Sequence, residues 1–161
     1  MTNSAGARSA VVVAIDLHKG SNLIMSRALA QAASMDADVH VICVTEPNIA
    51  NVKPPEDLDM SDLTGGGAGK IEAFATSRVA DFKKKNPTLK APTVRHYTET
   101  GDAAEKIVNL ATRVNADMVI LGTHGRTGIK RLLIGSVAEK VVRLAGCEVL
   151  VVREKKHEQG S

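Results

Sequence analysis

With 161 residues, 43% of them hydrophobic and 24% charged, the chain has the size and composition of one globular domain and is too short for two ordinary ones. The formal net charge is only +3, and two phenylalanines, one tyrosine and no tryptophan leave almost nothing for bases to stack on, which excludes an ordinary nucleic-acid binder. The two cysteines, Cys43 and Cys147, have neither Cys-x-x-Cys spacing nor a histidine cluster nearby, which argues against a disulfide or zinc site and for reduced, structural thiols.

Met1 to Ser9 is small and polar, and the apolar run after it is shorter than a signal peptide or a membrane span requires. The expectation is a cytoplasmic protein without membrane contact, with one domain over residues 10–153 and flexible tails at 1–9 and 154–161. Ala10 to Ile15 is a continuous β-rich apolar run closing on Asp16, the form of a central strand covered on both faces. Ser21 to Met35 is alanine-rich and carries Ile24, Ala28, Leu29, Ala32 and Met35 near one face, which predicts a helix, with a turn at Asp36-Ala37-Asp38. Val39 to Val44 reads as the second strand, with His40 in a structural role because no second ligand is spaced to join it.

Glu46 to Gly69 is the longest irregular stretch, punctuated by Pro47, Pro54, Pro55 and Gly65-Gly66-Gly67, and loops of this length are usually functional or mobile. Its end resembles a P-loop only superficially, since Thr64 replaces the first glycine, Ile71 replaces the final hydroxyl and no strand precedes it. A helix is predicted from about Lys70 to Lys84, with Ile71, Phe74, Ala75, Val79 and Phe82 at helical spacing, and Asn86-Pro87 ends it. Thr93 to Thr98 reads as the third strand. Gly101-Asp102 turns into a helix that opens on a capping signature, Asp102-x-x-Glu105, and carries Ile107, Leu110, Ala111 and Val114 as a stripe.

Asp117 to Leu121 is the fourth strand, and it runs into Gly122-Thr123-His124-Gly125-Arg126-Thr127-Gly128, then Leu132-Leu133-Ile134-Gly135-Ser136. A glycine-bearing turn after a strand, followed by a glycine and a hydroxyl at a helix start, is a means of holding phosphate through backbone N–H groups and the helix dipole. Ser136-x-x-Glu139 predicts a capping box, and the stretch between Asp117 and Glu139 has no acidic residue while Arg126, Lys130 and Arg131 are cationic. Val137, Ala138, Val141 and Leu144 are expected to line the last helix, with Gly146 as its C-cap, and Glu148 to Arg153 is the fifth strand. Strands alternating with helices at this spacing predict an α/β fold with an open, mostly parallel five-stranded sheet and helices on both faces.

The spacing Gly122-x2-Gly125-x9-Gly135-Ser136 resembles the distinguishing motif of the ATP-binding branch of the universal stress protein family, and the resemblance extends over roughly Ala10 to Arg153. It implies a Rossmann-like sheet, similar to the adenine nucleotide alpha hydrolase fold, with strand order 3-2-1-4-5. The crevice at the switch point then lies between the first and fourth strands, where Asp16 and Gly122 meet.

Carried over by position, the resemblance places Ala14, Ile15 and Asp16 along the adenine and ribose, with Val44 offering backbone hydrogen bonds to the base. Leu121 and Gly122 lie along the ribose, and Gly125, Gly135, Ser136 and Val137 wrap the phosphates. Arg126 joins them on grounds of charge. The implied ligand is ATP, with ADP or AMP as related occupants, and Mg²⁺ could accompany it with Asp16 as the nearest acid. The role implied is a nucleotide-dependent regulatory module of the stress response. The alternatives are an ATPase or a phosphoryl or nucleotidyl transferase on the same fold, or a member that keeps the motif without binding nucleotide. Binding is favoured over catalysis: paired carboxylates, a Ser/His/Asp arrangement and a P-loop lysine are all missing beside the glycine loop, and His124 reads as a hydrogen-bond donor or an exposed side chain. Val149 to Val152 is an apolar edge strand with no proline or inward charge, which predicts a homodimer through that strand, as the resemblance also implies.

Overall fold

The structure is a computed structural model that describes residues 8–17, 20–45, 67–123 and 134–153. Its elements alternate as β1 (Ala10–Ala14), α1 (Ser21–Met35), β2 (Asp38–Thr45), α2 (Gly67–Lys85), β3 (Val94–Thr100), α3 (Ala103–Arg113), β4 (Met118–Gly122), α4 (Ser136–Leu144) and β5 (Glu148–Val152). The strands form one sheet in the order β3-β2-β1-β4-β5, every neighbouring pair parallel, which is the expected topology.

Side chains that alternate along each strand supply a core to each face. Val11 and Val13 of β1, with Ile15 just beyond it, pack with Val39, Val41 and Ile120 under α1 and α2, where Met25, Leu29 and Ile71 are fully enclosed. Val12, Ile42, Val119 and Leu121 meet Ile107, Leu110, Ala138 and Val141 of α3 and α4 on the other face. The amino-terminal edge is laced by polar contacts: the Ala10 N–H donates to the Asp117 carboxylate at 2.9 Å, and Asp38 takes Arg8 and Arg95 at 3.3 Å each.

Three details depart from the sequence reading. The N-cap of α4 is Gly135, and no side chain caps this helix; Ser136 is already its first helical residue, and Glu139 pairs instead with Arg143 at 3.0 Å. The helix start is set by tertiary contact, since the Gly135 N–H is engaged by the Thr123 carbonyl. At the other end the C-cap is Ala145 in an extended conformation, so the chain passes straight into β5 and Gly146 is not the cap. Leu144, expected in the core, is 51% exposed. The Asp102 cap of α3 does form, its carboxylate accepting the Glu105 N–H at 2.9 Å.

His40 is only 7% exposed, and its Nδ1 lies 2.8 Å from the Tyr97 hydroxyl, the two rings stacked and the Arg113 guanidinium over the tyrosine. Burial, aided by the charge of Arg95 and opposed by Asp38, pushes the His40 pKa below the ordinary histidine value. The folded state therefore binds fewer protons here than the unfolded chain. Its stabilising contribution is present above the unfolded pKa and is lost as pH falls toward the folded one. Stability to urea is expected to decline as pH falls below the ordinary histidine value of about 6.5, and His40→Gln, which keeps a partner for Tyr97, should flatten that decline. An unchanged pH slope in the variant would remove His40 from the account.

Candidate functional site

The sheet reverses its winding between β1 and β4: β1 leads into α1 on one face, while β4 leads by way of residues 123–135 into α4 on the other. Val13 stands beside Ile120 in the ladder, so both strands leave the sheet at the same level and open a crevice beyond their carboxyl ends. Ala14 ends β1 and Ile15 and Asp16 follow it directly, while Leu121 and Gly122 end β4. Val44 lies near the end of β2, the strand that adjoins β1 on its other side. Gly135, Ser136 and Val137 open α4. Gly125, Arg126 and His124 fall outside the described residues.

The neck of the glycine loop is closed by backbone. Thr123 donates its N–H to the Val152 carbonyl at 3.2 Å and accepts the Gly135 N–H, so the end of β4, the last residue of β5 and the N-cap of α4 are tied together. Gly122 packs closely on α1: a Cβ there would come within 2.9 Å of Ile24 Cδ1, so this glycine lets the strand end approach the helix.

The helix ends around the crevice differ in one instructive way. α3, on the flank, is capped by Asp102, whereas α1 and α4 both begin at a glycine N-cap, Gly20 and Gly135, with no side-chain cap. A helix start without a side-chain cap presents N–H donors and the positive end of its dipole, which suits an anion. Ser136 is exposed at the start of α4, while Ser21 at the start of α1 is buried and donates its hydroxyl to Asp16 Oδ1 at 3.3 Å. Leu17, directly after Asp16, has φ 63°, a left-handed conformation uncommon for a leucine. Sequence reasoning missed the roles of Ser21 and Thr123 and the left-handed backbone of Leu17. Ser21 had a signal, since the Gly-Ser pair that opens α4 also opens α1 at Gly20-Ser21.

Among the described residues no three histidine, cysteine or acidic side chains gather in a way that could hold a metal ion, and no helix is long and apolar enough to cross a membrane. Neither Cys43 nor Cys147 is in a disulfide, and burial, with Asp117 and Glu148 nearby, raises the Cys147 pKa, which makes it a poor nucleophile at neutral pH.

Fold and crevice together define a doubly wound α/β protein with a crevice at the switch point of its sheet. Comparison with known proteins specifies the kind: residues 8–153 match the universal stress protein family, and the chain belongs to that family. The universal stress protein MJ0531 of Methanocaldococcus jannaschii is 33% identical over 132 residues, covering 78% of each chain. A universal stress protein solved in complex with cAMP superposes with a TM-score of 0.58 at 22% identity, over 92% of this chain and 99% of that one. The Archaeoglobus fulgidus universal stress protein in complex with dAMP does so at 0.57 and 16%, over 90% and 98%.

Proposed function

We propose that this protein belongs to the ATP-binding branch of its family and serves in the cytoplasm as a homodimeric, nucleotide-dependent regulatory module. The observation that carries the reading is the start of α4: a glycine N-cap without a side-chain cap, at the carboxyl end of β4, inside the Gly122-x2-Gly125-x9-Gly135-Ser136 spacing. Relatives of the same fold solved with cAMP and dAMP support an adenine nucleotide as the ligand class. In this reading Ala14, Ile15, Asp16 and Val44 border the adenosine, and Leu121 and Gly122 lie along the ribose. The backbone of Gly125, Gly135, Ser136 and Val137, with the charge of Arg126, holds the phosphates. The described residues fit such a group, because donors without competing caps and a glycine at the helix start leave room for an anion. Mg²⁺, if it accompanies ATP, is held through phosphate oxygens with Asp16 as the available acid, not through a protein cage.

Because the donors and positive charge are concentrated on the phosphate end, affinity is expected to fall in the order ATP, ADP, AMP, with sub-millimolar binding of ATP measured by calorimetry. Equal affinity for all three would defeat a phosphate-centred site. The same samples should release phosphate more slowly than about 1 s⁻¹, the low end of ordinary enzyme turnover, and a faster steady rate would favour the ATPase alternative.

A further inference from the structure

Asp16 stands in an unusual turn. Three residues other than glycine have positive φ among the described residues, and two of them, Asp36 and Asn115, are of the types that adopt it readily. The third is Leu17, whose backbone strain of about 1–2 kcal/mol must be held by its surroundings, and its side chain is packed against the core under α1. Four residues further on, Ser21 is 1% exposed, and its hydroxyl reaches back to Asp16 Oδ1 at 3.3 Å. Serine is a favoured N-cap, yet here Gly20 takes the cap position and the serine hydroxyl is spent on the carboxylate instead. The matching Ser136 of α4 is exposed, so the two helix-opening serines have different roles: one faces outward and the other is an internal support.

We infer that Ser21 is a positioning residue that, together with the left-handed turn at Leu17, fixes the Asp16 carboxylate at the mouth of the crevice in the orientation that receives a nucleoside. The inference rests on the nucleotide reading for its ligand and on the Ser21–Asp16 contact for its mechanism. A carboxylate oxygen tied to a buried hydroxyl has few rotamers open to it, so less freedom is lost when a ligand hydroxyl or amine donates to that group.

The test is a double-mutant cycle in the full chain, with ATP as the probe and calorimetry as the readout. Ser21→Ala should weaken ATP binding by about threefold to tenfold, the net worth of one ordinary hydrogen bond. It should cause little or no further loss in an Asp16→Asn background, because the serine acts through Asp16. Losses that add in the double variant, or an Ser21→Ala protein that binds as well as wild type, would overturn the inference while leaving the nucleotide reading intact. A wild-type protein that binds no adenine nucleotide would overturn that reading instead. The positioning role would then be decided by the three-bond couplings of the Asp16 Hβ protons in NMR spectra. One fixed rotamer in wild type and averaged values in Ser21→Ala support it, and identical couplings overturn it.

Discussion

Gly135→Val is expected to abolish adenine-nucleotide binding while leaving the protein folded. Conformation is not the obstacle, because Gly135 has φ −70° and ψ 160°, a region that valine occupies freely. The N–H that reaches the Thr123 carbonyl survives the exchange, so the neck of the loop can still close. As an N-cap valine is inferior to glycine, which costs up to about 1 kcal/mol, a loss that a domain of ordinary stability withstands. The branched side chain instead takes the space in front of the first N–H groups of α4, where an anion would have to approach. A loss of affinity greater than about 100-fold is expected, corresponding to more than about 2.7 kcal/mol. Gly146→Ala is the matching control, since a Cβ there meets nothing within 4 Å, and its binding should equal wild type. Circular dichroism and thermal unfolding establish that the valine variant is folded, and Gly135→Ala offers a milder step if it is not. Normal ATP binding by a folded Gly135→Val protein would reduce Gly135 to a helix-start residue.

The legible part of this fold was the part governed by local rules. α1 spans the residues read for it, Ser21–Met35, because alanine-rich propensity and one apolar face point the same way, and the Asp102 cap was written in Asp102-x-x-Glu105. Strand order was different. Nothing in the periodicity of five buried parallel strands says which are neighbours, and 3-2-1-4-5 came from the family resemblance. The start of α4 misled because Ser136-x-x-Glu139 satisfies the capping pattern while a tertiary contact, Gly135 to Thr123, fixes the helix one residue earlier. Leu144 misled because it follows Val141 at a core-like spacing, yet α4 is at the margin of the sheet over edge strand β5, where less of the helix surface is covered. At the site, the glycine spacing and Asp16 could be read from the sequence. For Ser21 the Gly20-Ser21 pair marked a helix start but not its tie to Asp16, because a serine that supports a carboxylate looks the same in sequence as one that begins a helix.

In solution the protein is expected to be a dimer joined along β5, and Leu150→Lys is expected to make it a monomer. β5 closes one side of the sheet, pairing with β4 and leaving its other edge open within the described chain. Leu150 on this strand is 36% exposed, and Val142 and Leu144 of neighbouring α4 are 50% and 51% exposed, so an open backbone edge adjoins apolar surface. Nothing in Val149 to Val152 guards that edge: the strand has no proline or charge there. A twofold arrangement with two β5 strands antiparallel satisfies both backbones with one self-complementary patch, and burying the exposed part of each large side chain contributes roughly 1 kcal/mol. Leu150 is the better position to test than Val151, which packs against the core beneath α3 and α4, where a lysine would damage the fold itself. Lysine at 150 is an edge charge that faces its own copy near the twofold axis, repulsive across the interface but tolerable to the solvated monomer. Light scattering at micromolar concentration should show the wild-type mass halved in Leu150→Lys, with the thermal unfolding of the variant now independent of protein concentration. A dimeric Leu150→Lys protein would place the interface elsewhere. A monomeric wild type whose β5 amides resist hydrogen exchange would mean that the edge is covered from within its own chain.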